Sequence, residues 1–123
     1  GGRSVQQVRS ILLNVGTELG EEGLKRYACL IQRRPHVEGT LAMMAQWSLD
    51  DLNRALPKIT VPTLFIHGAQ DGAVALRVAE RAAQAMPDAR LIVLPDVGHI
   101  AHEEQPARVA EEILRFAATA KAE

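Results

Sequence analysis

The change of hydrophobic period at Pro57 constrains the fold of this chain most strongly. Before it, the apolar side chains recur every three or four positions, which is the spacing of amphipathic helices. After it, two short continuous apolar segments, residues 63–67 and 90–94, are typical of buried strands, and a helical pattern separates them. A further helical pattern begins at Pro106. The sequence therefore predicts an α/β chain: helices first, then a βαβα unit whose two strands are parallel.

Turn and capping residues divide the first part into four predicted helices. Gly16 is expected to end the first helix and Pro35 to start the third. Ser48 and Asp51 have the spacing of a capping box, which predicts a short fourth helix. The first three helices carry apolar stripes at helical spacing: Val5, Val8, Leu12 and Val15; Leu24, Tyr27, Ala28 and Ile31; Val37, Leu41, Met44 and Trp47.

Two parallel strands do not form a sheet that can bury both of its faces. Their outer edges would also lack hydrogen-bond partners, so such a pair normally lies inside a larger sheet. We therefore expect the remaining strands upstream, in a missing N-terminal half of the fold, and a chain that starts at Gly1 rather than at Met fits a fragment. A second copy of this chain, completing one sheet by self-association, is the alternative partner.

Composition excludes several classes of protein. The 14 basic and 15 acidic residues among 123 give a net charge near −1, which argues against a nucleic-acid partner. The apolar runs are too short for a transmembrane segment, which needs about 20 residues. A single cysteine, Cys29, and the lack of a visible signal peptide predict a cytoplasmic protein without disulfide bonds.

Two residues that can carry chemistry follow the ends of the two predicted strands. Asp71 lies in the loop after the first strand and His99 in the loop after the second, and open parallel sheets place their sites at these ends. A carboxylate held against one imidazole nitrogen leaves the other nitrogen as a general base. The sequence therefore predicts two members of a nucleophile–histidine–acid triad.

The second half of the chain resembles the end of an α/β hydrolase. Residues 56–71 look like the penultimate strand and acid loop of that family, and residues 86–99 look like its last strand and Gly-His loop. Residues 104–116 resemble its C-terminal helix. The resemblance implies a C-terminal fragment of the fold, in which residues 1–56 form a helical cap and residues 57–123 the last two strands and helices of the core.

The first half is similar to a narrower group, the BchO-like accessory proteins of magnesium chelatase in bacteriochlorophyll biosynthesis. The similarity depends mainly on the segment His36-Val-Glu-Gly-Thr-Leu-Ala-Met-Met-Ala-Gln-Trp47. Cap helices of α/β hydrolases shape the substrate pocket, so the resemblance implies that Met43, Met44 and Trp47 line an apolar substrate pocket. Packing of these three side chains in a core is the alternative.

The chain departs from the hydrolase pattern in its missing nucleophile. It contains neither a Gly-x-Ser-x-Gly elbow nor a His-Gly-Gly segment for an oxyanion hole, so alone it should not hydrolyse a substrate. The expected function is that of the C-terminal portion of a serine hydrolase. Such an enzyme would hydrolyse an ester or related bond in a small apolar substrate, without a metal or an organic cofactor. The alternative is a non-catalytic accessory module that binds a tetrapyrrole or a chelatase subunit.

Other polar residues have simpler interpretations. Asp71 alone could be a turn residue, His99 a loop histidine, and Asp96 is a weaker candidate for the acid. His67 is expected to be packed or hydrogen-bonded within a strand. His102, Glu103 and Glu104 lack the helical spacing of a zinc motif, so no metal site is predicted.

Overall fold

A computed structural model describes residues 2–120 and shows helices followed by a strand–helix–strand–helix unit. The first part consists of helices α1 (Gly2–Asn14), α2 (Glu21–Ile31), α3 (Arg34–Met44) and α4 (Leu49–Ala55), with a 3₁₀ turn over Leu56–Lys58. The second part consists of β1 (Thr63–Gly68), α5 (Leu76–Ala85), β2 (Ala89–Leu94), the one-turn α6 (Ala101–Glu104) and α7 (Pro106–Ala120). The predicted α/β architecture is confirmed.

The two strands pair in parallel, as predicted, from Thr63 opposite Ala89 to Gly68 opposite Leu94. Helix α5 is the crossover between them and packs on both strands. Because the strands end at the same register position, the loops that follow them leave the sheet side by side. Within residues 2–120 the sheet has only these two strands.

The predicted helix boundaries have identifiable causes. Helix α1 ends before Gly16, whose φ of 76° is a left-handed conformation that glycine adopts without strain. Pro35 lies in the first turn of α3, where its missing N–H costs nothing. The Ser48 hydroxyl accepts a hydrogen bond from the Asp51 N–H and so caps α4.

Two apolar clusters form the core. The first lies between α1 and α2, and the second between the strands, the loop after β2 and α7. Ile100 belongs to the loop after β2 yet packs against the first cluster, so this loop joins the two. The buried members are Val8, Leu12, Leu19, Leu24 and Ala28 in the first cluster, and Leu94, Val97, Ala101 and Val109 in the second.

The third apolar stripe is not buried among the residues that the structure describes. No residue of α3 is buried, Leu41 is 61% exposed, and Trp47 lies beyond the end of the helix. The stripe is present in the sequence, but no described element covers it, and periodicity alone does not supply a partner surface. Ile31, at the end of the second stripe, is likewise exposed.

The helix α6 was not predicted, because the segment between Val97 and Pro106 carries turn residues and no periodic pattern. Its one turn is stabilised by tertiary contacts that local sequence does not encode. The division into a cap of residues 1–56 and a core of residues 57–123 stays a prediction, and Gly1 and residues 121–123 lie outside the described residues. Across residues 2–120, no helix has both the length and the apolar character that a bilayer span requires.

Candidate active site

The candidate site lies where the two strands end. The loop after β1 contains Asp71 and the loop after β2 contains His99, and backbone hydrogen bonds tie the loops together. Ala69 N–H donates to the Leu94 carbonyl at 2.8 Å, and Gln70 N–H donates to the Val97 carbonyl at 3.0 Å. The structure therefore brings the two predicted residues to one edge of the sheet.

The Asp71 carboxylate contacts one nitrogen of the His99 ring. Nδ1 of His99 lies 3.1 Å from Oδ1 and 3.0 Å from Oδ2 of Asp71. An ionised carboxylate only accepts hydrogen bonds, so Nδ1 carries the proton and donates it. This arrangement fixes the ring orientation, and it is the one that an acid–histidine pair requires.

The same carboxylate is fixed by its own loop. Asp71 Oδ1 accepts hydrogen bonds from the N–H groups of Ala73 and Val74, each at 2.8 Å. Burial by itself raises the pKa of Asp71, whose side chain is 7% exposed, but the hydrogen bonds from Val74, His99 and Ala73 outweigh burial. The net effect lowers the pKa of Asp71 below its usual value, so the carboxylate is charged at neutral pH.

The His99 side chain is 41% exposed, in contrast to its partner. No residue among 2–120 forms a hydrogen bond with its Nε2 atom, so this nitrogen can still bind a reacting group. The ring borders a small cavity of about 170 Å³, lined also by Ile66, Ala101, His102 and Val109. A partly exposed imidazole ring beside a cavity can exchange protons with a substrate or a nucleophile through its unbonded nitrogen.

Sequence reasoning missed two residues that contact the His99 loop. The Thr17 hydroxyl accepts a hydrogen bond from the Ile100 N–H at 3.0 Å and donates one to Glu104 Oε1 at 2.9 Å. Glu104 also accepts from the Gly98 N–H, at 3.0 Å to Oε1. No local pattern could have found this set, because Thr17 and Glu104 are 87 positions apart.

The other candidates do not join the pair. His99 Nδ1 is bonded to Asp71 rather than to Asp96, which is exposed. His67 is packed in β1 with 9% exposure, and its Nε2 has no hydrogen-bond partner among the described residues. Cys29 is exposed, and nowhere in residues 2–120 do three metal-ligating side chains cluster.

The predicted substrate-binding residues lie on the surface of the described structure. Met43, Met44 and Trp47 are 51%, 48% and 60% exposed. Packing of these side chains in a core is therefore wrong for residues 2–120. Their role in binding a substrate stays a prediction, as do the catalytic roles of Asp71 and His99.

Comparison with known proteins identifies the family. Residues 30–106, which include both Asp71 and His99, match the family of the alpha/beta hydrolase fold. The chain belongs to the α/β hydrolase family. Its sequence is also similar to the magnesium-chelatase 30 kDa subunit of Rhodobacter capsulatus, with 41% identity over 102 residues, 83% of this chain and 36% of that protein.

Two further relatives extend the comparison of this α/β hydrolase chain. It is 37% identical over 92 residues to the pimeloyl-[acyl-carrier protein] methyl ester esterase of Aromatoleum aromaticum, covering 72% of this chain and 36% of that enzyme. The fold matches the crystal structure of a candidate lipase from Acinetobacter baumannii with a TM-score of 0.66 at 21% identity, over 88% of this chain and 38% of that one. The chain thus spans just over a third of the length of these proteins.

Proposed function

We propose that this chain provides the acid and the general base of a serine-type α/β hydrolase. One observation carries the proposal: both carboxylate oxygens of Asp71 lie within 3.1 Å of His99 Nδ1, while the His99 side chain is 41% exposed. Membership in the α/β hydrolase family supports the same assignment. The nucleophile and the oxyanion hole would come from another part of the complete protein.

In this reaction His99 moves protons and Asp71 stabilises the charge that results. Nε2 takes the proton of the nucleophile's hydroxyl as its oxygen attacks the ester carbonyl, and the imidazolium is stabilised by the charged Asp71. Nε2 then protonates the leaving alcohol as the ester bond breaks. A water molecule then attacks the acyl intermediate and gives a proton to Nε2. As the bond between the acyl carbon and the nucleophile oxygen breaks, Nε2 returns this proton to that oxygen, which releases the carboxylic acid and regenerates the hydroxyl and the neutral imidazole.

The similarity to methyl ester esterases favours an ester as the substrate. The relative from Aromatoleum aromaticum is named for cleavage of a methyl ester, and another relative of this name, from Pectobacterium atrosepticum, is 34% identical over 67 residues. The cavity beside His99 is bordered by Ile66, Ala101 and Val109, which suits an apolar acyl or alkyl group. We therefore propose small apolar esters as the substrate class.

Hydrolysis of p-nitrophenyl esters by the complete protein tests this proposal. Asp71→Asn should lower kcat by about 10⁴-fold, because the ring loses the acceptor that selects its tautomer. His99→Gln should lower kcat by a similar factor, because the general base is removed. The matched control is Asp96→Asn, an exposed carboxylate in the same loop, which should leave kcat unchanged. Equal activity of the wild type and the Asp71→Asn variant would contradict the proposal.

A second candidate function is binding without turnover, as an accessory module for a tetrapyrrole or a magnesium chelatase. The observation that favours it is the 41% identity to a magnesium-chelatase subunit. The exposed side chains of Met43, Met44 and Trp47 offer an apolar surface for a flat ligand or a partner protein.

Titration of the complete protein with protoporphyrin tests this second candidate. This chain has one tryptophan, so the fluorescence that the complete protein loses in its Trp47→Phe variant is the signal of Trp47, and its quenching reports binding nearby. Saturable quenching of this signal that is weakened by Met43→Lys, together with absent esterase activity, would favour binding. Esterase activity without any quenching would exclude the tetrapyrrole.

A further inference from the structure

The segment 15–17, between α1 and α2, is inserted between the two loops that carry the candidate site. On one side, the Val15 carbonyl accepts a hydrogen bond from the Gly72 N–H at 3.1 Å, directly after Asp71. On the other side, a Cβ at Gly98 would overlap the Gly16 carbonyl, so the segment touches the backbone next to His99. One segment of three residues therefore contacts both the acid loop and the histidine loop.

Polar contacts extend from this segment to both neighbours of His99. The Thr17 hydroxyl accepts a hydrogen bond from the Ile100 N–H at 3.0 Å and donates one to Glu104 Oε1 at 2.9 Å. The Glu104 carboxylate accepts a hydrogen bond from the Gly98 N–H, whose nitrogen lies 3.0 Å from Oε1 and 3.2 Å from Oε2. The backbone donors immediately before and after His99 are thus both held by one pair of side chains.

The surroundings make this network rigid. Thr17 is 1% exposed, so its hydroxyl has no water to replace a lost partner. Apolar packing adds to the polar contacts, because Ile100 packs on the α1–α2 cluster and Val97 is buried in the other cluster. The His99 loop therefore has little freedom to change its backbone conformation.

We propose that Thr17 and Glu104 are positioning residues for His99. They touch no substrate, but their hydrogen bonds to Gly98 and Ile100 set where the imidazole meets the Asp71 carboxylate. This inference rests on the proposed function for its effect on catalysis, although its effect on the ring can be measured independently. A displacement of about 1 Å at a reacting group can cost about 100-fold in rate, which gives the network its importance.

Two variants of the complete protein separate the hydroxyl of Thr17 from its methyl group. Thr17→Val keeps the shape and removes the hydrogen bonds, whereas Thr17→Ser keeps the hydroxyl and removes the methyl group. Tyr27→Phe is the control, because it removes a different hydrogen bond to the same helix, the one from Tyr27 Oη to Glu103 Oε1 at 2.5 Å. Glu104→Ala is the second test if Thr17→Val does not fold.

The first measurement is the NMR signal of the proton on His99 Nδ1, assigned by its loss in His99→Gln. The wild type, Thr17→Ser and Tyr27→Phe should show a downfield, slowly exchanging signal, since that proton is shared with Asp71. Thr17→Val and Glu104→Ala should broaden or lose it. An unchanged signal in both of these variants would overturn the proposal, and so would equal losses in Thr17→Val and Thr17→Ser.

The second measurement is ester hydrolysis. Thr17→Val should lower kcat by about 10- to 100-fold with little change in KM. Thr17→Ser keeps the hydroxyl and should therefore retain most of the wild-type kcat. If the wild type hydrolyses no ester, the proposed function fails while the NMR result still decides the positioning role. If kcat of an active protein is insensitive to both Thr17→Val and Glu104→Ala, the positioning role is refuted while the proposed function stands.

Discussion

At the scale of single residues, Asp71 combines a buried side chain with several hydrogen bonds that favour its charged form. Its carboxylate accepts hydrogen bonds from two backbone N–H groups of its own loop and from the ring of His99. The backbone bonds keep the carboxylate in place whether or not the histidine is present. His99, in contrast, depends on the loops and on Thr17 for its position.

The lowered pKa of Asp71 predicts how this residue contributes to stability at different pH. Because folding favours the charged form, the contribution is complete above the unfolded pKa, at about 3.9. It is lost as the pH falls through the folded pKa, which lies below 3.8. Thermal unfolding of the complete protein and its Asp71→Asn variant should therefore differ most at neutral pH and converge in strong acid. A constant difference at every pH would contradict the assigned pKa direction.

The close approach of loop backbones makes Gly98 sensitive to substitution. In Gly98→Ala the new Cβ would overlap the Gly16 carbonyl and lie 2.7 Å from the Thr17 nitrogen, so backbone must move. We expect a loss of more than about 2 kcal/mol in the free energy of unfolding. Gly39→Ala is the matched control, since its Cβ meets nothing within 4 Å and lies in α3, where alanine stabilises by about 1 kcal/mol. Urea unfolding of both variants measures the contrast, and equal stabilities would refute it.

At the scale of elements, the one-turn helix α6 connects the two parts of the chain. Its consecutive carboxylates reach different partners: Glu103 accepts from Tyr27 of α2, and Glu104 accepts from Thr17 and Gly98. Ala101, at the start of the same turn, is buried in the second cluster. The turn α6 therefore contacts α2 through Glu103, and it contacts the segment before α2 and the His99 loop through Glu104.

The contact between α2 and α6 predicts the titration of Tyr27. Burial, and then the hydrogen bond and negative charge of Glu103, raise the pKa of Tyr27 to about 12. Absorbance titration of the folded protein, with Tyr27→Phe subtracted, should show this late ionisation. Glu103→Gln should lower the midpoint only in part, because burial is the largest cause. A midpoint of about 10 in the wild type would mean that the contact does not form.

At the scale of the whole molecule, much apolar surface is uncovered in the described structure. Leu49 is 63%, Val61 63% and Leu114 71% exposed, and each of the two strands has an unpaired edge. A protein of this size normally covers such surface or uses it for association. In the related proteins, of which the chain spans just over a third, further sequence is present.

We therefore predict that the 123-residue chain by itself associates with copies of itself. Sedimentation at tens of micromolar should show species heavier than the 13.4 kDa monomer, because association buries the exposed apolar side chains. Leu114→Lys should weaken the association by placing a charge on the most exposed large apolar position. A single sharp boundary at the monomer mass would contradict this prediction.

The order of the elements and the placement of Asp71 and His99 could be predicted from the sequence. Periodicity, Pro35, the Ser48 cap and Gly16 act over a few residues, so their effects are present in the sequence itself. Parallel pairing follows from the strand–helix–strand order, and it places both strand ends at one edge. The candidate acid and base could thus be assigned before their distance was known.

Tertiary structure alone decided which surfaces are covered and what holds the His99 loop. The third stripe, with Leu41 and Met44, repeats the helical spacing of the first two, yet its helix has no buried residue. Thr17 meets Glu104 across 87 positions, and neither residue carries a local signal of that contact. The physical reason is range: helix and turn preferences act between near neighbours, whereas packing and buried hydrogen bonds depend on how distant segments meet.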